Sequence, residues 1–355
     1  MSAPGKLFVT GEYGVVAGGP AVVAAVSRRL RVRARARRGS GHVYVRRGAE
    51  SVRCSFATER FDDLPADVRF VAGAAVVAAR TLELREVDVE IDTESELDRG
   101  TEKTGLGGSA AVSAATVAAL HALAGRRLDD ERGARERAAT AVYAHRLVQG
   151  GGSGADVVCC TVGGLVWTAG LDGRDVPRDV SDCVRRVRET PPPRFTHLTL
   201  PNEFALEMVA TGTACATGPR VARFVAKLSE DETSAASLRA WTAGMAAAVD
   251  AFRDGCASGD PARVLGALHA AGRLLERLGA VTSIRIFNPA LRRASAVGRA
   301  LGAVVKPSGA GGGDCAIAIV PDGLRERLRA AWREAGLQPL DATLDTDGAR
   351  LEETR

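Results

Sequence analysis

Residues 105–111 read Gly105-Leu106-Gly107-Gly108-Ser109-Ala110-Ala111, and the stretch that follows, residues 112–123, is small or apolar at nearly every position. Glycines at 105, 107 and 108 let the backbone turn tightly and aim its N–H groups at one point, and a helix starting at Ser109 sets its positive end behind them. A helix apolar nearly all round belongs inside a core. Upstream, Val87-Asp88-Val89-Glu90-Ile91-Asp92 alternates as a half-buried strand. Strand, glycine loop and buried helix together form a phosphate-binding arrangement. Gly105, Leu106, Gly107, Gly108, Ser109 and Ala110, with Lys103 beside them, are candidate phosphate contacts, and the Ser109 hydroxyl is a candidate ligand for Mg2+. The loop lacks the Gly-Lys-Ser/Thr ending of a Walker loop and the Gly-x-Gly-x-x-Gly of dinucleotide folds. A glycine-rich turn ahead of a capped helix reads the same way, so the rest of the chain has to decide.

The chain has 355 residues, 46% of them hydrophobic and 26% charged, enough for one or two cores, and the length favours two domains. No apolar run of about 18 residues is present that spans a membrane, and Met1 leads into Ser2-Ala3-Pro4-Gly5-Lys6 with no export signal. A soluble cytoplasmic protein is expected. The seven cysteines are scattered and lack metal-ligand spacing, which favours reduced thiols over structural zinc. Net charge is +5, but aromatics are only 4% and arginines alternate with acids; nucleic acid is not an expected partner, whereas multiply anionic small molecules fit the same balance.

Four lysines stand against 44 arginines, and Lys6, Lys103 and Lys306 each border a glycine-rich stretch. A compact ammonium beside an exposed backbone suits phosphate chemistry in a way a planar guanidinium does not. Asp156, in Gln149-Gly150-Gly151-Gly152-Ser153-Gly154-Ala155-Asp156, supplies the other requirement of phosphoryl transfer, a carboxylate that accepts a proton from or orients the nucleophile while Lys6 offsets the charge that builds up. Taken singly, a turn aspartate and a solvated lysine are equally ordinary. His145 lies on a helix face, where it is either structural or able to orient an anion.

The remaining patterns predict strand-rich segments at 7–16 and 20–36, a helix over 70–84, another over 129–147, and a boundary at the polar stretch containing Pro191-Pro192-Pro193. Beyond it come a strand at 206–210, helices over 218–228, 234–257, 261–278 and 289–301, strands at 303–305 and 315–320, a helix over 323–335 and a final strand.

Ala3-Pro4-Gly5-Lys6 with Gly11-Glu12-Tyr13, then residues 105–111, then Lys306-Pro307-Ser308-Gly309-Ala310-Gly311-Gly312-Gly313-Asp314-Cys315 resemble, in order, the three motifs of the GHMP kinases. Within that family the Gly-Glu-Tyr, the segment His145 to Val157 and the third motif are most similar to the phosphomevalonate kinase branch, and Thr211 to Thr217 resembles a further element of it. Gly108, Gly151, Ala155 and Asn288 depart from residues usual there. The resemblance implies an α/β (α+β) fold of two domains, an N-terminal nucleotide-binding domain over 1–194 and a C-terminal ferredoxin-like domain over 195–355, with the active site in the cleft between them. It implies ATP and Mg2+ as cofactors, the central loop and Ser109 on phosphates and metal, Asp156 as base and Lys6 as its electrostatic partner. Lys6, Ser153, Gly154, Thr213, Ser308, Gly309, Ala310 and Gly311 would line the acceptor side. The expected acceptor is a phosphorylated small molecule, phosphomevalonate, with no nucleic-acid or membrane partner, in a monomer or homodimer. Mevalonate or homoserine as acceptor, or a nucleotide-binding regulator without turnover, remain alternatives.

Overall fold

A computed structural model of the chain describes residues 1–97, 104–213, 215, 217–228 and 232–352. Lys103 lies outside the described residues. The first half is built on β1 (Ser2–Thr10), β2 (Pro20–Arg38), β3 (His42–Arg47), β4 (Glu50–Ser55) and β5 (Val87–Ser95), with α1 (Arg69–Thr81) before β5. After the central loop come α2 (Gly108–Leu123), α3 (Glu131–Gln149), α4 (Ala155–Val162), β6 (Leu165–Ala169), α5 (Val180–Glu189) and β7 (Phe195–Leu198). These strands form a seven-stranded sheet in the order β4-β3-β5-β2-β6-β7, with β1 paired antiparallel to β2. β7 begins just past the expected boundary at 194 and pairs with β6, so it extends this first sheet.

The second half contains β8 (Phe204–Ala210), α6 (Thr217–Lys227), α7 (Glu232–Ser258), α8 (Pro261–Thr282), α9 (Pro289–Ala300), β9 (Val304–Pro307), β10 (Cys315–Pro321), α10 (Arg325–Glu334) and β11 (Gln338–Pro339). Its four strands are ordered β11-β8-β10-β9. The local signals are ordinary ones. Asp130, Asp260 and Asn288 each accept a backbone N–H at a helix start, and Pro261 and Pro289 occupy the first turn, where no amide hydrogen is needed.

α2 seats the central loop on a close-packed core. Ala110 through His121 are all buried, and their small side chains let α1, α3, α4, β1 and β2 pack close around the helix. The chain end then returns to the first sheet, with bridges from Leu344 to Val26 and from Arg350 to Ser2. Arg29, only 5% exposed, fastens that return. It pairs with the Asp345 carboxylate and donates to the Asp347 carbonyl at 3.1 Å, the Gly348 carbonyl at 2.6 Å and Ser2 Oγ at 2.7 Å.

Candidate active site

Lys6 sits on β1, where its amide donates to the Leu106 carbonyl at 2.8 Å and its ammonium reaches the Gly105 carbonyl at 3.5 Å. The strand therefore carries its lysine directly across the central loop. Gly107, at φ 82° and ψ 44°, makes room for it: a Cβ there would lie 2.5 Å from Lys6 Cε. Gly105 performs the same service on the other flank, where a Cβ would lie 2.5 Å from the Asp314 Cβ. The Cys315 thiol donates to the Thr104 carbonyl at 3.0 Å. First, second and third motifs thus meet at one place.

α2 begins at Gly108, whose side-chain direction faces open space, so its first amides and positive end are presented outward. Ser109 Oγ lies 3.2 Å from His145 Nε2 on α3. His145 is 2% exposed and its ring stacks at 5.0 Å on Phe70. Burial pushes its imidazole below the ordinary value, the Asp156 carboxylate opposing this and the Lys6 ammonium adding to it. The structure puts His145 behind the Ser109 hydroxyl.

Asp156 stands in the first turn of α4, which Gly154 introduces in a left-handed conformation. Its Oδ1 accepts from the Val157 amide at 3.0 Å, and among the described residues it has no ion-pair partner within 4.0 Å. Lys6 and Asp156 do not touch, yet they share one neighbourhood. Besides His145, the buried Cys159 and Cys160 both feel the two charges, although burial is what pushes these thiols up most. Ser153, buried, has Oγ 3.3 Å from the Ala155 amide, which donates to it.

The third loop is fixed from several sides. The Ser308 amide donates to the Cys315 carbonyl at 3.0 Å, that of Gly312 to the Ile286 carbonyl at 2.6 Å, and that of Asp314 to the Thr213 carbonyl at 2.7 Å. The Cys215 amide donates to Asp314 Oδ1 at 2.9 Å. Asn288, which departs from the family pattern, caps α9 with its oxygen and donates with Nδ2 to the Gly312 carbonyl at 3.2 Å. Arg220 lies against Gly312, its guanidinium filling the space a side chain would need. Gly309 faces open space. Thr213 enters through its backbone; its side chain is exposed.

Lys306 behaves differently from the sequence expectation of a phosphate-side lysine. It is 1% exposed and paired with Glu12, so its ammonium is spent inside the protein. Glu12, Tyr13 and Asp314 stand inside the quoted motifs, but nothing local in the sequence marks what they contact, and Arg220 carries no signal at all.

The GHMP kinases N terminal domain matches residues 69–164 and the GHMP kinases C terminal domain matches residues 252–338. This chain belongs to the GHMP kinase family, whose members are phosphotransferases that use ATP, and it has that family's two-domain α/β fold. Phosphomevalonate kinase from Streptomyces sp. (strain CL190) is 32% identical over 372 residues, covering 98% of this chain and 97% of that one. Mevalonate kinase from Aeropyrum pernix is 30% identical, covering 99% and 98%. The solved Streptococcus pneumoniae phosphomevalonate kinase in complex with phosphomevalonate and AMPPNP superposes with a TM-score of 0.76 at 20% identity, over 96% of this chain and 98% of that one; at that identity the likeness concerns the fold. Among the described residues no helix is long and apolar enough to cross a membrane.

Proposed function

We propose that this protein is an ATP-dependent phosphomevalonate kinase, transferring the terminal phosphoryl group of ATP to the phosphate of (R)-5-phosphomevalonate to give the diphosphate and ADP in the mevalonate route to isoprenoids. The observation that carries the reading is the crossing of Lys6 over Gly107, with Asp314 of the third loop backed against Gly105. A full-length relative named for this activity supports the choice of acceptor.

In this reading the amides of residues 105–110 and the start of α2 hold the ATP phosphates, since an N-terminal helix end favours anions. The Lys6 ammonium, with one of its hydrogens directed at the Gly105 carbonyl, keeps donors for the phosphoryl group in flight, whose charge spreads over its outer oxygens. The acceptor nucleophile is a phosphate oxygen, ionised near neutral pH because the second phosphate pKa is about 6. Asp156 therefore serves to position the cationic side of the site, the Lys6 ammonium foremost, more than to remove a proton. Ser153, Gly154, Thr213, Ser308, Gly309, Ala310 and Gly311 form the acceptor wall from two sides.

Mg2+ fits these residues. Among the described residues no cluster of three ligating side chains exists, and Mg2+ on nucleotides needs only one or two protein ligands, completing its shell with phosphates and water; the Ser109 hydroxyl would be one of them. When bound, the ion supplies charge neutralisation to the phosphates.

ADP release by the purified protein with phosphomevalonate, mevalonate and homoserine offered in parallel tests the proposal. Release dependent on phosphomevalonate, with the other two at least about 100-fold poorer in kcat/KM, is expected from a wall built to pair an acceptor phosphate. Turnover of mevalonate in preference would assign the chain to the other branch.

A further inference from the structure

The first motif contributes more than Lys6. Past the end of β1 the chain turns through Gly11-Glu12-Tyr13, and both polar side chains cross to the third glycine loop. The Lys306 ammonium, at the start of that loop, donates to Glu12 and to the Pro307 carbonyl at 2.7 Å. Both members of the pair are 1% exposed in their side chains. Burial pushes the Glu12 carboxyl up and the Lys306 amine down, and their mutual attraction opposes both shifts. Among the described residues the second Glu12 oxygen has no hydrogen-bond partner, so Lys306 is what balances this charge.

Tyr13 makes the second crossing. Its hydroxyl donates to the Ala310 carbonyl at 2.7 Å, at the crest of the loop. The ring packs edge-on against Phe224 at 5.4 Å, and Phe224 packs likewise on Trp241 at 5.9 Å. A residue of the first half is thereby planted in the core of the second. Its backbone sits at φ 61° and ψ −46°, a sparsely populated combination for a side-chain-bearing residue that persists only where the surroundings over-determine it.

A buried ion pair is a poor stabiliser compared with well-packed apolar groups of the same volume, and its best-attested use is to specify one arrangement. Here the arrangement specified is the distance between the Lys6 strand and the third loop. Ser308 and Gly309 lie between the two anchors, the Ser308 amide on the Cys315 carbonyl and the Gly309 amide bearing on Glu12, and a side chain at Gly309 would meet nothing within 4 Å, so this held span is the part offered to a ligand.

We propose that Glu12 and Tyr13 are positioning residues that latch the third glycine loop, residues 306–315, to the strand carrying Lys6 and so hold the acceptor wall at a fixed distance from the transferred phosphoryl group. The inference rests on the reading of this cleft as the kinase site, but the latch itself can be measured without turnover.

The test is hydrogen exchange of the full-length protein, followed at peptides covering 306–315, together with separate KM values for phosphomevalonate and ATP. Tyr13→Phe keeps the ring and removes one hydrogen bond, so loop exchange should accelerate about fivefold and the KM for phosphomevalonate rise by a similar factor. The KM for ATP and exchange elsewhere should stay within about twofold of the parent. Glu12→Gln combined with Lys306→Met, which leaves no buried charge unpaired, should fold better than Lys306→Met alone and still accelerate loop exchange. Unchanged loop exchange in both Tyr13→Phe and the double variant, or a rise of both KM values together, would overturn the latch. Faster loop exchange in a protein that ignores phosphomevalonate would uphold the latch and remove the acceptor assignment.

Discussion

Replacing Gly107 with alanine puts the Lys6 geometry at stake. At φ 82° and ψ 44° the backbone is left-handed, and a side chain there costs about 1–2 kcal/mol of stability. The added methyl would lie 2.5 Å from Lys6 Cε, 2.9 Å from Cγ and 3.2 Å from Cδ. Carbon atoms rest about 3.5–4.0 Å apart, so the lysine stem must move by about 1 Å. Given the role proposed for Lys6 at the reacting phosphate, a displacement of that size costs about 100-fold in rate. The assay is ADP release with phosphomevalonate, run beside urea unfolding. Gly125→Ala is the control: Gly125 has φ 68° at the far end of α2 with nothing within 4 Å of the added methyl, so it carries the backbone penalty without the contact. Gly107→Ala should lose about 100-fold in kcat/KM, and Gly125→Ala should lose stability alone. Equal activity in the two variants, or Gly107→Ala within about threefold of the parent, would refute the placement of Lys6 over the loop.

Two further outcomes follow from the scaffold. Arg29→Ala strands the Asp345 carboxylate and frees the returning tail, so unfolding free energy should fall by about 3–5 kcal/mol and limited proteolysis should cut residues 344–350 first; an unchanged urea midpoint would contradict the clasp. His121 is buried on α2 with its value pushed down to about 4, by burial first and then by the Arg137 and Arg126 guanidinium groups. The unfolded chain therefore takes up a proton at this site below pH 6.5 that the folded one refuses. Stability from the neutral imidazole is complete above pH 6.5 and drains away as pH falls toward 4, by about 3 kcal/mol in all. His121→Leu should flatten that part of the pH–stability curve, and an unaltered curve would assign acid sensitivity elsewhere.

The central loop and α2 were legible in the sequence because glycine freedom and small-residue burial are local properties, and the strand at Val87 announced itself by alternation. α4 was not. It has eight residues, Val157, Val158 and Val162 among them, a composition with poor intrinsic helix preference; the tertiary frame between Gly154 and Gly163 decides its conformation. β7 follows three prolines that read as a linker, and the strand forms because β6 offers an open edge. Lys306 looked like a phosphate ligand because glycines surround it, whereas the partner that buries it is nearly 300 positions away and carries no local mark. His145 likewise gave no hint of Ser109. What the chain writes locally is the set of loops; which loop touches which is written in contacts between its two halves.

Phosphorus NMR of the reaction products tests the proposed joint action of Lys6 and Asp156 at one transferred phosphate. The parent enzyme with ATP and phosphomevalonate should yield a new diphosphate ester and ADP in equal amounts. Lys6→Met and Asp156→Asn should each bind ATP and form almost none, with Lys6→Met the more damaging because the acceptor phosphate brings its own negative charge. Full diphosphate formation by Lys6→Met would contradict the account.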